Sequence, residues 1–530
     1  MTTSADPPLM SRCVAAVCGV VSTLLAIAVA HLLAAILNPD SSPVLAVGST
    51  VIDLAPTPLK DWAIRTFGTA DKVVLVGSVL VVVLVLAAVA GVLARRSFAR
   101  GAALLLVLVA LATVAVLTRP VVAPSDVIPS LVCAVVGVGA LWWLVQVAER
   151  GTMLPPPRGL IPVTGAGERA PEAAASASRR AVLVTAAVMT AVASALGGAG
   201  RWINSRRIEA EPVTLPRPAP GEAAPPLPTG LESTVPDISP LQVPNGQFYR
   251  IDTRLDTPVV SAADWTLTID GDVDRELTIT FEELLAMPMV ERDITLTCVS
   301  NPVGGPYIGG ARWLGVPLLD ILDRVEIGPK ADQMIATDFD GLTIGTPLEL
   351  LLDGREPLLC VGMNGAQLPR EHGFPVRVVV PGLYGFISAT KWVTRLTMTT
   401  YADTEAYWTQ RGWDTISPIK PSARIDTPFP WSSLPAGKVN VGGVAWAQND
   451  DGVSTVQVRV DGGAWTDAKL GPDLGSVYWR QWYLPIELDP GEHTLAARVV
   501  DGDGTTQVDV KTQPFPGGAS GIHTIPVTAT

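Results

Sequence analysis

The stretch Glu371-His372-Gly373-Phe374-Pro375-Val376-Arg377-Val378-Val379-Val380-Pro381-Gly382, followed by Lys391-Trp392, decides how the soluble part of this 530-residue chain is read. Valines flanked by proline and glycine read as a buried strand, and Arg377 stands in its middle. A buried guanidinium without a partner is strongly unfavourable. His372, Arg377 and Lys391, interleaved with glycines around one strand, therefore form a group of donors that needs an anion. A phosphate-bearing cofactor meets that need, with arginine as a bidentate clamp. Ion pairs with nearby carboxylates such as Glu371 are the plainer alternative.

Working outward, Thr295-Leu296-Thr297-Cys298-Val299-Ser300-Asn301-Pro302 is a strand-like run ending in a thiol and a turn. It places Cys298 at the end of a sheet, where loops build sites, and a soft thiolate suits a transition metal. Alone, this segment reads as a buried structural cysteine.

Together, the cysteine segment, HGFPVRVVVPG and Lys391-Trp392 are similar to the molybdopterin domain of the sulfite oxidase family, over roughly residues 246–525. The resemblance implies a molybdenum-molybdopterin cofactor with Cys298 as the protein ligand to the metal. It implies that His372, Arg377 and Lys391 hold the pterin and its phosphate, with main-chain contacts from Ala389 and Thr390. Asp338-Phe339-Asp340-Gly341-Leu342-Thr343 is similar to the family's Asp-Gly loop, which brings in Asp340 and Thr343. Phe248-Tyr249-Arg250-Ile251-Asp252-Thr253 corresponds to its early pterin-binding strand, with the register open by one residue; Tyr249, Arg250, Asp252 and Thr253 are the candidates there. The implied activity is two-electron molybdenum chemistry of the oxygen-atom-transfer type on a small molecule. In such enzymes the cofactor supplies the chemistry and the protein supplies position and charge.

Two departures bear on the substrate. Val303 stands where sulfite oxidases place an arginine, and Trp413, reached through Tyr407-Trp408-Thr409-Gln410-Arg411-Gly412, stands where the family has its active-site tyrosine. Losing a cation and a phenol removes the means of holding a small dianion, so sulfite is not expected as substrate. Trp413 borders the substrate position in this reading, and Arg411 is either a residual positive charge or structural. Direction stays open, reduction of a sulfoxide being the alternative, and so does the electron-transfer partner.

Composition bounds the rest. A formal net charge of −12 excludes nucleic acid as a partner, because phosphate binding needs a basic face. Positive mean hydropathy comes from the first two hundred residues, rich in Ala, Val and Leu. A bilayer core of about 30 Å needs roughly 20 apolar residues of helix. Segments 13–37, 73–94, 101–117, 127–148 and 181–200 answer to that, the last less hydrophobic. Arg95, Arg96 and Arg100 share one loop, and Arg150, Arg158, Arg169, Arg179 and Arg180 another, on the side of Arg12. Lys60, Arg65, Lys72 and Arg119 fall opposite. The positive-inside bias then puts the N-terminus in the cytoplasm and everything after Arg201 outside a bacterial cytoplasmic membrane. Ser178-Arg179-Arg180-Ala181-Val182-Leu183 resembles a twin-arginine export signal; plain anchoring by arginines is the other reading. His31 is alone among these segments, so a bis-histidine haem is not expected.

Five cysteines are few, and Cys13, Cys18 and Cys133 lie in apolar runs. Cys360, in Pro357-Leu358-Leu359-Cys360-Val361, reads as a packed core residue. Residues 211–244, EPVTLPRPAPGEAAPPLPTGLESTVPDISPLQVP, read as an extended, semi-rigid spacer. Strands are expected at 265–269 and 377–380, and short helices at 281–285 and 318–324. Strands at 441–446, 455–460, 479–484 and 494–500, broken by Asp-Gly and Gly-Gly, suggest an antiparallel β-sandwich. The expected architecture is multi-domain: a five-helix membrane anchor (1–210), the linker (211–245), an α+β sulfite-oxidase-type catalytic domain (246–415) and an Ig-like sandwich (416–530). By resemblance that sandwich is a dimerisation domain, implying a homodimer. A non-catalytic envelope module associating through the sandwich is the competing class, but it has no need of Cys298 with His372, Arg377 and Lys391.

Overall fold

The computed structural model describes residues 10–55, 71–119, 123–150, 171–207, 212–255 and 257–530. They divide into two units, Met1–Glu209 with Thr253–Thr257, and Ala210–Asp252 with Pro258–Thr530.

In the first unit the apolar runs form α1 (Arg12–Leu37), α2 (Pro43–Leu54), α3 (Asp71–Ala94), α4 (Phe98–Leu117), α5 (Ile128–Arg150) and α6 (Pro171–Arg207). All but α2 are long and apolar enough to cross a membrane. The twelve-residue α2 is not anticipated from the sequence, being too short to register as a span. Valines and leucines such as Val81, Val82, Val85, Leu111, Val135 and Leu183 are exposed on this unit's surface. Small residues let the helices meet. A Cβ on Gly19 would lie 1.9 Å from the Ala87 carbonyl oxygen, and one on Gly91 2.0 Å from that of Ala15, so α1 and α3 cross with their backbones touching. Near one end, Asn38 Nδ2 donates to the buried Asp126 at 3.1 Å, and His31 Nδ1 lies 3.4 Å from Ser42 Oγ. Lys60, Arg65, Arg158, Arg169 and the side chain of Arg179 lie outside the described residues.

The second unit begins with two sheets. One runs Leu277–Thr280, Thr266–Gly271, Val393–Thr399, Gln333–Asp338, Thr343–Pro347. The other runs Val290–Thr297, Ile308–Pro317, Leu358–Met363, Ala366–Gln367, with Arg377–Val379 also paired to Leu358–Met363. The helix Phe281–Leu285 starts on a capping box of Thr280 and Glu283. The amphipathic helix Leu318–Val325 buries Leu318, Ile321, Leu322 and Val325, the spacing that faces one side of a helix inward.

Two further sheets follow. Ser422–Thr427, Gly437–Trp446, Arg480–Leu488 and Lys469–Leu470 form one; Ser433–Leu434, His523–Ala529, Gly491–Asp501, Val453–Val460 and Thr466–Asp467 form the other. Val441, Val456, Trp482, Leu495 and Ile525 fill the core they share, as alternate inward residues of a two-sheet sandwich do.

Residues 212–244, expected to form an extended, semi-rigid spacer, are laid along this unit. Ala219 N donates to Met289 O at 2.8 Å, Glu291 N to Glu222 O at 2.9 Å and Val243 N to Gly310 O at 2.9 Å. Leu241 is buried, and its carbonyl accepts from Tyr478 Oη at 2.9 Å and Trp479 Nε1 at 2.8 Å. The extended conformation that proline enforces leaves backbone groups with no local partners, and the body of the unit supplies them.

Candidate active site

Cys298 follows directly on the strand Val290–Thr297. Its amide donates to Tyr307 O at 3.0 Å and its carbonyl accepts from Asn301 N at 3.0 Å. Burial pushes the thiol up, opposed by hydrogen bonds from Ser300 and by the charge of Lys391. Tyr249 lies close enough to feel both Cys298 and Arg377, and burial above all holds its phenol protonated. Cysteine, phenol and the two cations are thus gathered in one place.

Arg377 is 5% exposed. It pairs with Cys360 on one side and bridges Lys391 on the other. Gly373 lies against both residues: a Cβ there would meet Arg377 Cβ at 3.0 Å and Lys391 Cα at 3.2 Å. The Arg377 guanidinium sits 5.0 Å from the Trp313 ring centroid and donates Nη1 to His372 O at 3.0 Å. Its buried Nε has no partner. Glu371, the nearby carboxylate, lies instead 3.7 Å from His372 Nε2. Burial first of all lowers the Arg377 pKa to about 10.

Lys391 Nζ donates to Asp252 Oδ2 at 2.7 Å, and the same oxygen accepts from Arg250 Nε at 2.9 Å. Burial dominates here too and lowers Lys391 to about 8, Asp252 notwithstanding. His372 Nε2 lies 3.0 Å from Asn245 O; burial, then Arg377, lower it to about 4. The ring is therefore neutral at pH 7, with Nε2–H donating to that carbonyl. Thr297 Oγ1 and Thr390 Oγ1, beside Cys298 and Lys391 in the chain, are buried without partners. An unmatched guanidinium atom, two orphaned hydroxyls and a set of depressed cations fit a group that brings negative charge and acceptors.

The other expected contacts surround this core. Thr390 O accepts from Val378 N at 2.9 Å, and Ala389 N donates to Gly385 O at 3.0 Å. The Asp-Gly loop is drawn in by Phe339 N, which donates to Trp392 O at 3.0 Å. Asp338, not Asp340, braces it, accepting from Asp340 N and Leu342 N at 2.9 Å each. Thr343 Oγ1 accepts from Tyr407 N at 3.0 Å. The segment 248–253, expected as a strand, has no strand pairing; of its residues Tyr249, Arg250 and Asp252 join the site, whereas Thr253 is grouped with the helical unit.

Trp413 is half-buried among Phe386, Trp408 and Phe515, with ring centroids at 5.7, 6.4 and 5.2 Å. The loop carrying Phe386 is tied to the cysteine strand where Gly385 N donates to Thr297 O at 3.0 Å. Arg411 stacks on Tyr407 at 3.4 Å and donates to its carbonyl at 2.8 Å, which favours the structural reading for it. Sequence reasoning missed Tyr384, a buried phenol near enough to Cys298 to feel its charge, with burial pushing it up to about 12. Its position three residues after Pro381 in the arginine segment is the only signal that could have found it.

Residues 254–408 match the family described as oxidoreductase molybdopterin binding domain. Sulfite oxidase of Gallus gallus is 30% identical over 314 residues, covering 50% of this chain and 68% of that protein. Mitochondrial sulfite oxidase of Mus musculus is 30% identical, covering 44% of this chain and 51% of that protein. For NADH nitrate reductase of Solanum lycopersicum the identity is 26%, with 44% of this chain and 32% of that protein covered. The chain therefore spans about half of the mouse protein's length and a third of the plant protein's.

Proposed function

The chain belongs to the sulfite oxidase family of molybdopterin oxidoreductases, with a molybdenum-molybdopterin cofactor, and from that premise we propose a membrane-anchored enzyme acting on a small molecule other than sulfite. The carrying observation is that Tyr249 feels both Cys298 and Arg377, while the buried Nε of Arg377 has no partner. When bound, the cofactor supplies two-electron redox chemistry of the oxygen-atom-transfer type. Cys298 binds the metal; Arg377, Lys391 and Arg250 neutralise the anionic end, with Asp252 fixing the latter two. His372 donates to Asn245 O and leaves Nδ1 free to accept. Ala389, Thr390, Asp340 and Thr343 line the pterin. Trp413 and the rings around it border the substrate.

A second reading, reduction of a sulfoxide-type substrate by the same residues, is favoured by those rings, which offer apolar surface and no cation. Metal analysis of the purified full chain tests the first premise: about one molybdenum per chain is expected, and none would sink it. Turnover of an aryl sulfoxide with a reduced viologen as donor would favour the reductive reading, and turnover of sulfite with ferricyanide as acceptor would overturn the exclusion of sulfite.

The proposed domain order is an anchor over 1–210, a catalytic domain over 246–415 and an Ig-like, dimer-forming sandwich over 416–530, joined by 211–245. The five long helices cross the bacterial cytoplasmic membrane with the N-terminus inside and the catalytic part outside, and Arg179-Arg180 serve in export or as plain anchors. A reporter active only outside the membrane, fused after Thr530, should be active. Activity from a cytoplasm-only reporter at that site refutes the orientation.

A further inference from the structure

The segment 298–307 is a loop closed at its neck. Cys298 N donates to Tyr307 O at 3.0 Å, and Tyr307 N donates to Asn301 Oδ1 at 2.9 Å. Its inner residues, Val299-Ser300-Asn301-Pro302-Val303-Gly304-Gly305, include no long side chain that could pin the tip. The sandwich does so from outside. Arg424, on the strand Ser422–Thr427 and 8% exposed, donates Nη1 to Gly305 O at 3.0 Å. The rest of its guanidinium is fixed as well: Nε donates to Asp426 Oδ1 at 2.6 Å and Nη2 to Ser239 Oγ at 2.7 Å. Asp426 Oδ2 in turn accepts from Ser239 N at 2.9 Å. Beside it, His523 Nδ1 accepts from Ile425 N at 3.0 Å. Gly304, at φ +78°, lies so close that a Cβ would come 2.2 Å from His523 Nε2.

A reactive constellation tolerates only about 0.5 Å of play. Here the residue expected to bind the metal begins a loop whose tip is held by a buried, triply bonded guanidinium from the sandwich domain. We propose that Arg424 is a positioning residue for Cys298, so that the C-terminal sandwich sets the geometry of the metal's protein ligand. This rests on the cofactor assignment above. Charge alone is not sufficient for the role, because a lysine cannot reach three acceptors in the plane that arginine spans.

The test uses the full chain with Arg424→Met and Arg424→Lys, in two arms. In cofactor-free protein, iodoacetamide labelling of Cys298 is followed by peptide mass spectrometry, with buried Cys360 as internal reference. Labelling of Cys298 should accelerate at least tenfold in Arg424→Met, and less in Arg424→Lys, with Cys360 unchanged. In loaded protein, the molybdenum paramagnetic resonance signal should split into more than one species in both variants. A lowered melting temperature with wild-type labelling and a single wild-type signal would make the bond ordinary packing and overturn the proposal. If Arg424→Met does not accumulate, Arg424→Lys carries both arms, and wild-type behaviour in it overturns the proposal equally. Absence of any molybdenum signal in the wild-type chain defeats the cofactor reading instead, and the labelling arm still decides whether Arg424 holds the loop.

Discussion

Replacing Arg377 by Met should stabilise the cofactor-free protein and abolish cofactor retention. With no anion present, burial holds the Arg377 pKa at about 10, well below that of an ordinary guanidinium. That gap corresponds to about 3 kcal/mol of unfavourable charging. Methionine keeps an apolar stem against Trp313 but gives up the charge-assisted bond from Nη1 to His372 O, worth about 1.5–3 kcal/mol. The difference leaves a gain of at most about 1.5 kcal/mol, or a few degrees in melting temperature at roughly 2–4 °C per kcal/mol. Tryptophan fluorescence during thermal unfolding, on protein from cells unable to make the cofactor, measures it. In cells that make the cofactor the order should reverse, with molybdenum retained by wild type and lost from the variant. A cofactor-free variant melting several degrees lower, or a loaded variant holding molybdenum like wild type, refutes the argument that Arg377 is kept for an anion.

Cys298→Ser should change the molybdenum paramagnetic resonance spectrum and cut turnover, whereas Cys360→Ser, fully buried on its strand, should cost about 1–3 kcal/mol of stability and leave the spectrum alone; the reverse pattern overturns the ligand assignment. Lys391, at about 8 against an ordinary 10.5, gives stability a sign with pH. Between those values the unfolded chain holds a proton that the folded chain has released. Urea titrations of cofactor-free protein should therefore show stability rising from pH 8 to 10 more steeply in wild type than in Lys391→Met; parallel curves refute it. In the helical unit, Gly91→Leu should prevent the α1–α3 crossing and lower recovery of the chain from membranes, while Gly77→Leu on the same helix, with nothing within 4 Å of its added Cβ, should not; equal recovery of the two refutes the packing argument.

What could be read from the sequence was what one segment states by itself. An arginine among valines already demands a counter-charge, and Arg377 is found on a strand with part of its guanidinium unmatched. Four leucine- and valine-rich runs and a fifth of alanines become long apolar helices for the same local reason. What needed coordinates was adjacency. Proline density at 212–244 speaks against a sheet or long helix, but says nothing of what lies alongside. Tyr384 reaches the cysteine only because its loop is tied to Thr297, and Phe515 meets Trp413 from about a hundred residues later in the chain. The helix Pro43–Leu54 is apolar yet falls short of any span, so hydropathy gives it no label.

The strap of residues 212–244 has a consequence in time. Leu241 is held by Tyr478 and Trp479, and Leu231 N donates to Gln481 Oε1 at 2.7 Å, so an early stretch of the second unit is secured by residues far later in the chain. A ribosome emits the chain at about 5–20 residues per second. Residues 231–241 therefore spend ten seconds or more, on the order of 240 residues of synthesis at that pace, without these three partners, whereas Met289, Glu291 and Gly310 reach the rest of the strap sooner. Until then its prolines keep it extended and soluble rather than committed to wrong pairings. These contacts can close only after the strand Arg480–Leu488 has been made, which places the docking of residues 231–241 late in the folding of the second unit.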